Sequence, residues 1–431
     1  MDEEMSQMKK VISLVLCVIM LLMLFSGCSS TGANTTSSAG SSVSASTAAS
    51  ENEPQKIVFG AALPLTGAIS IEGSKHLNGY KLWEKVVNEN GGIEVAGKKY
   101  PVEIKYYDFQ SDNAIAVKLV EKLITEDKVN FILGPNLSSS AKAVSPVIEK
   151  YQIPMIAPSA SAKDVYNDGY KYLFGTFTPD NTICEPMVEL AMQLDDPPKT
   201  IAIVTRNDLF PVSLGNATKE AAEEAGIEVV MFDQYSIGTT DYAPLLIQVA
   251  ATNPDWIFVT GYAQDLVLMR NQMIELNIKA KMISIVSGAM YPEFIAGTGE
   301  GANYITSAGW WHNSVTYEGI DVFGTSANYT KVFEDEYGYT PDLGCATASV
   351  AGCIFQNAIE RAGSLDPVKV RDALAESDFL SFFGPIKFDE HGQASALTPP
   401  VVQIIDQKHV PMYPPEIAQA KLVYPMPDYN N

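Results

Sequence analysis

Three serines, Ser138, Ser139 and Ser140, stand where the apolar run Phe131–Leu133 gives way to a helical pattern. After the next apolar run, Met155–Ala157, the small residues Ser159, Ala160 and Ser161 occupy the same relative place. Each cluster lies where a following helix would begin, and there unpaired backbone N–H groups and the positive end of the helix dipole favour an anion. Two such ends side by side suit a carboxylate, held by uncharged donors. Capping alone accounts for any single serine at a helix start; two neighbouring clusters ask for more. Other chemistry is absent from the pattern. No GxSxG, HExxH or phosphate loop occurs, and His76, His312, His391 and His409 have no metal-ligand spacing. The GTGEG at 297–301 lacks the strand-to-helix setting of a dinucleotide site and reads as a turn. The sequence implies no enzyme, no cofactor and no metal.

The elements that must position the serines alternate regularly. Strand-like runs at Ile57–Ala62, Val102–Tyr107, Phe131–Leu133 and Met155–Ala157 are separated by helical periodicity, with Ala116, Leu119, Val120, Leu123 and Ile124 forming one apolar face behind a cap at Asp112. The grammar restarts after Pro179, with strands at Thr200–Val204, Val229–Phe232, Trp256–Val259 and Lys281–Val286. Helices are predicted near Thr182–Gln193, Ser213–Glu224, Asp241–Ala250 and Gln264–Leu276, then at Asn328–Glu336, Cys345–Arg361 and Asp366–Glu376, with closing strands at Ile386–Phe388 and Val401–Ile405. This is an α/β chain of two doubly wound parallel-sheet lobes with a cleft between them. In such sheets the ligand lies outside the carboxyl ends of the strands, the edge that carries both serine clusters.

At 431 residues, 46% apolar, the chain is long enough for two cores. Met8-Lys9-Lys10 followed by the uncharged stretch from Val11 to Phe25 reads as an export signal, with Met8 an alternative start to Met1. Its apolar run is too short for a membrane span that should stay. Phe25-Ser26-Gly27-Cys28 resembles a lipobox, although Phe25 replaces the usual aliphatic residue and Leu24 stands one place early. Residues 29–55 are nearly all Ser, Thr, Ala and Gly, a flexible tether. A net charge of −22 and no Lys/Arg cluster argue against nucleic acid. Of the five cysteines, Cys184, Cys345 and Cys353 remain after Cys17 in the leader and Cys28 at the lipid site; without zinc spacing or a bridgeable pair they are expected as buried free thiols.

Several blocks together resemble the solute-binding proteins of branched-chain amino-acid ABC transporters, of which the leucine/isoleucine/valine-binding protein is the type: GAALPLTGAISIEGSKHLNGYKLWEKVVNENGGI, YYDFQSDNAIAVKLVEKLI, TTDYAPLLIQVAATNPDWIFVTGY and FFGPIKFDEHGQ. The resemblance runs from Lys56 to about Pro411 and implies a type I periplasmic-binding-protein fold, two discontinuous lobes joined by a three-crossing hinge. It implies a lipoprotein signal over 1–27, a lipidated Cys28 and tether over 28–55, an N-terminal lobe of 56–177 plus 312–385, and a C-terminal lobe of 178–311 plus 386–431. The crossings would fall near Thr176–Pro179, Trp310–Asn313 and Phe383–Phe388.

Residue by residue, the resemblance places a ligand carboxylate on Ser138, Ala160 and Ser161, a ligand amino group on Tyr262 of the Gly261-Tyr262 pair, and an aromatic wall at Phe210. Two positions depart from it. Glu72 stands in the first βα loop where the type member has a wall tryptophan, and the acidic partner of the ammonium has no clear match in VSGAMYPEF, Glu293 lying a few residues late. Either Glu72 or Glu293 neutralises the ammonium from a new direction, or the ligand lacks that charge, because a buried ammonium without a partner would cost several kcal/mol. The expected function is an extracytoplasmic receptor, anchored to the cell membrane through Cys28 and acting as a monomer, that closes on an amino acid or related small carboxylate or amide and delivers it to the membrane subunits of an ABC permease. An extracellular sensor for a signalling receptor is the alternative, and a two-domain α/β hydrolase or transferase ranks below it for want of a nucleophile–base pair.

Overall fold

The computed structural model describes residues 56–427; the leader, Cys28 and the tether lie outside the described residues. The chain opens with β1 (Ile57–Leu63), α1 (Ser70–Glu89), a small hairpin of β2 (Ile93–Val95) and β3 (Lys98–Tyr100), then β4 (Val102–Asp108), α2 (Asn113–Thr125), β5 (Phe131–Leu133), α3 (Ser138–Tyr151), β6 (Met155–Ala157) and β7 (Leu173–Gly175). Five of these strands form one all-parallel sheet in the order β4-β1-β5-β6-β7. Asp112 caps α2 as its position suggested, its carboxylate accepting from the N–H groups of Ala114 and Ile115.

The next stretch contributes α4 (Asn181–Met192), β8 (Thr200–Arg206), α5 (Leu209–Glu224), β9 (Glu228–Tyr235), α6 (Ala243–Ala251), β10 (Trp256–Gly261), α7 (Ala263–Glu275), β11 (Met282–Ser287), α8 (Pro292–Thr298) and β12 (Thr306–Ala308). After these come α9 (Ser326–Tyr337), α10 (Leu343–Ala362), α11 (Pro367–Ala375), the pair β13 (Asp378–Ser381) and β14 (Gly384–Lys387), and finally β15 (Val401–Ile405) and β16 (Lys408–Tyr413). The second sheet runs β16-β15-β12-β11-β10-β8-β9. It is parallel from β9 to β12, while β15 and β16 add antiparallel to its edge. Helix α5 begins four residues before the predicted Ser213, because Asp208 caps Leu209 and Pro211 falls in the first turn, where its missing N–H has no partner to lose.

Helix α10 returns to the first sheet. Phe355 packs on Phe59 at 5.4 Å between ring centroids, beside Trp83 and Phe131. Gly79 and Gly352 let α1 and α10 touch: an added Cβ would lie 2.2 Å from the Cys345 carbonyl oxygen or 2.1 Å from the Trp83 ring. Ser349 donates to the Gly79 carbonyl across the same contact. Between the sheets, Phe177 stacks on Trp310 at 3.9 Å, and the Trp310 indole N–H donates to the Thr178 carbonyl at 3.0 Å. Gly175 exchanges main-chain bonds with Gly392 and Ala394. Three chain segments therefore lie side by side where the sheets meet. Cys184, Cys345 and Cys353 are buried free thiols.

Candidate functional site

The sheet orders fix where a site can form. In the first sheet the chain leaves β1 for β4 on one side and β5 on the other, so the loops after β1 and β5 diverge and open a crevice at the carboxyl edge. In the second sheet β8 has β9 on one side and β10 on the other, with the same result. The two crevices face each other. Glu72, in the first turn of α1, accepts a hydrogen bond at 2.9 Å from the N–H of Ala263, the first residue of α7. Three residues on, Lys75 pairs with Glu293 of α8 at 2.8 Å and with Asp342 of its own side at 3.2 Å.

Both serine clusters meet in this cleft. Ser138 opens α3, fully buried, and its Oγ accepts from the N–H groups of Ser161 (3.2 Å) and Ala162 (3.3 Å). Its oxygen therefore ties the two loops together, and its O–H is the part left to donate. The Ser161 hydroxyl is fully buried and has no partner. The loop that carries it is pinned from several sides. His76 bonds the Ser159 hydroxyl, Thr176 and Thr347 donate to the Pro158 carbonyl, Tyr166 donates to the Ala160 carbonyl, and Gln393 donates to the Ser161 carbonyl. This half of the site is held by four other segments of chain before any solute arrives.

The opposite wall is aromatic and polar. Tyr262 and Phe210 lie 6.2 Å apart, and Phe210 is the same distance from Trp310. The Tyr262 hydroxyl is buried without a partner. Beneath its ring the Arg206 guanidinium sits 4.9 Å from the centroid and pairs with Asp265 at 2.5 Å. Among the described residues no group of three His, Cys, Asp or Glu could hold a metal.

Three features were not foreseen. Glu72 belongs to a helix rather than to the first βα loop, because that loop ends at Ile69; with one oxygen on Ala263 it bridges the two sides. Burial raises its carboxyl to about 7, against the pull of the Ala263 N–H. Glu293 is engaged by Lys75 through one oxygen, while its other oxygen has no partner. Asp180, missed entirely, is 3% exposed and both its oxygens lack a partner. Burial pushes it up to about 6, opposed by the nearby Ser161 and Ser213 hydroxyls, neither of which reaches hydrogen-bond geometry. In sequence it looks like a helix cap after Pro179, yet its backbone is already helical and its side chain caps nothing. That is a buried carboxylate beside Ser161 with both oxygens unpartnered.

The family model described as periplasmic binding protein matches residues 56–406. The chain is 25% identical over 332 residues, 76% of its length and 84% of the relative's, to the leucine-, isoleucine-, valine-, threonine- and alanine-binding protein of Pseudomonas aeruginosa. It is also 25% identical to Leu/Ile/Val-binding protein homolog 8 of Brucella abortus, covering 85% and 92% of the two chains. Among solved structures, a leucine-binding protein from Thermotoga maritima superposes with a TM-score of 0.74 at 24% identity, covering 82% of this chain and 97% of that one. A branched-chain amino-acid transporter substrate-binding protein of Streptococcus pneumoniae, in complex with isoleucine, gives 0.73 at 22%, covering 82% and 98%. Both establish the fold. The matched proteins are solute-binding proteins, not enzymes.

Proposed function

This chain belongs to the periplasmic binding protein family, with the type I form of its fold, and we propose that it is the extracytoplasmic receptor of an ABC importer that closes on an amino acid. The ligand carboxylate sits against the Ser138 and Ser161 hydroxyls and the main chain at Ala160. The amino group lies between Asp180 and Tyr262, with Phe210 as wall. Asp180 supplies the ammonium partner, and Glu72 acts as the clasp that holds the cleft shut. The observation that carries this reading is the unpartnered pair of Ser161 and Asp180, a hydroxyl donor next to a carboxylate, which together complement the two charges of a zwitterion. Hinge closure buries the solute, and the closed surface is what the permease recognises. Among the described residues no helix is long and apolar enough to cross a membrane, and attachment through lipidated Cys28 remains part of the proposal.

The test is calorimetric titration of the full chain with a panel of amino acids and their deaminated and amidated counterparts. The expected result is binding of compounds carrying both a carboxylate and an amine, lost on removal of either. Binding of deaminated compounds as tightly as their parents would overturn the assignment of Asp180.

A further inference from the structure

Glu72 stands on one side of the cleft and is buried by the other. It is carried by α1, which packs on the first sheet, whereas the groups that face it come from the second: Ala263 and Asp265 of α7, Arg206 at the end of β8, Tyr262, and Tyr291 just before α8. Between them the residue is left 3% exposed, with Oε1 on the Ala263 N–H and Oε2 buried without a partner. The cations beside it are already committed. Arg206 pairs with Asp265, and Lys75, within one turn along α1, holds Glu293 and Asp342. His76 is spent on the Glu72 carbonyl and the Ser159 hydroxyl, and Tyr262 and Tyr291 face the carboxyl as phenols that burial keeps neutral. A carboxylate there loses hydration that only one oxygen recovers, while a carboxylic acid asks for less. The Ala263 N–H favours the charge, but Asp265 offsets Arg206, so desolvation wins and the closed cleft holds the proton up to about 7. When the two sides part, the second withdraws, water reaches Glu72, and its carboxyl returns toward 4.5.

We propose that closure of the cleft takes up a proton at Glu72, so that solute capture is coupled to pH: the receptor grips its solute more tightly in an acidic medium and yields it more readily as the medium turns alkaline. The inference rests on the hinge-closing amino-acid receptor proposed above and adds to it a control on closure. Its sign follows from linkage. Between about 4.5 and 7 the closed form carries a proton that the open form has released, so affinity falls as pH rises through that window and levels off above it. Asp180 acts the other way, because a solute ammonium favours its charged form and binding there releases a proton. Glutamine at position 72 keeps an oxygen for the Ala263 N–H and cannot titrate, so the difference between parent and Glu72→Gln isolates this one group.

The experiment titrates the full chain calorimetrically with the standard amino acids other than histidine, and follows those that bind from pH 5 to pH 8 in the parent and in Glu72→Gln. Repeating each titration in two buffers of different ionisation enthalpy counts the protons exchanged. At pH 6 the parent is expected to take up between about half a proton and one proton more per solute than the variant, and from pH 5 to pH 8 its affinity should fall by about tenfold or more relative to the variant's. Melting curves at each pH establish that the variant is folded, and Glu72→Ala, which loses the clasp as well as the proton, should share the variant's proton count while binding more weakly. Either an equal proton count in parent and variants or parallel affinity profiles overturns the coupling and leaves the amino-acid reading standing. If no amino acid binds, that reading falls and the coupling with it.

Discussion

The Glu72 carboxylate and the Ala263 N–H lie 2.9 Å apart although they belong to opposite sides of the cleft. Ala263 opens α7, so the carboxylate meets an unpaired N–H at the positive end of a thirteen-residue helix, where a negative charge is favoured. Glu72→Ala removes the clasp without touching the Ser138–Ser161 corner. Ligand affinity is expected to fall by about 1–3 kcal/mol, with the ligand-free protein showing a larger radius of gyration by small-angle scattering. Unchanged affinity and unchanged dimensions together would show that closure does not depend on this bond.

The two serines should separate binding from stability. The Ser138 oxygen satisfies two buried N–H groups, so Ser138→Ala leaves both unmet and lowers stability by about 1–3 kcal/mol as well as weakening the ligand. The Ser161 hydroxyl has no partner within the chain, so Ser161→Ala should weaken the ligand by about 1–2 kcal/mol and leave the melting temperature of the ligand-free protein where it was or slightly higher. Calorimetry and thermal unfolding on the same preparations decide this.

Asp180→Asn tests the ammonium partner. A buried carboxylate without a partner is costly, so the neutral amide should not lower the melting temperature of the ligand-free protein at pH 7.5, while binding of amine-bearing ligands should weaken by about 2–4 kcal/mol. An affinity loss below tenfold would place the amine elsewhere.

Protonation of Glu72 sets a pH dependence with a definite sign. Unfolded, the residue titrates near 4.5; folded, burial holds the proton up to about 7. Between those values the folded chain carries a proton that the unfolded chain has released, so stability falls as pH rises through that window. Asp180, raised from 3.8 to about 6, adds a slope of the same sign lower down. His76 and His312, kept neutral down to about 4 and about 3 by burial, act oppositely: stability is lost as pH falls below 6.5. In Glu72→Gln the other groups remain, so the difference from the parent isolates Glu72. The variant's melting temperature relative to the parent should be a few degrees higher at pH 8 than at pH 5. A constant offset would contradict the raised carboxyl.

Much of the scaffold was legible because it is written in local periodicity. The runs at Phe131–Leu133, Met155–Ala157 and Val401–Ile405 are strands with the bounds read from sequence, and Asp112 caps its helix. Short elements whose pairing is non-local were not: Leu173–Gly175 and Thr306–Ala308 are strands only because neighbouring strands supply their hydrogen bonds, and no three-residue pattern announces that. Ser138 opens a helix as expected, but the second cluster precedes only the three-residue turn Lys163–Val165 rather than a helix, so Ser161 meets Ser138 through the adjacent strands and the Ser138 hydroxyl. Asp180 could not be read that way, since its neighbour Ser213 comes from α5 of the second sheet, far along the chain. The Lys75–Glu293 pair could not be read from sequence, since Lys75 stands more than two hundred positions earlier.

The pinning of the loop from Pro158 to Ser161 has a consequence for the order of events. His76, Thr176, Thr347 and Gln393 hold that loop from its own side of the cleft and from the junction, with no help from the second sheet. In the proposed receptor a solute would dock first on this finished surface, at a rate governed by diffusion and charge, with the other half closing afterwards. Substitutions along the moving half should then lengthen or shorten the residence time of the captured solute while leaving its rate of capture nearly constant.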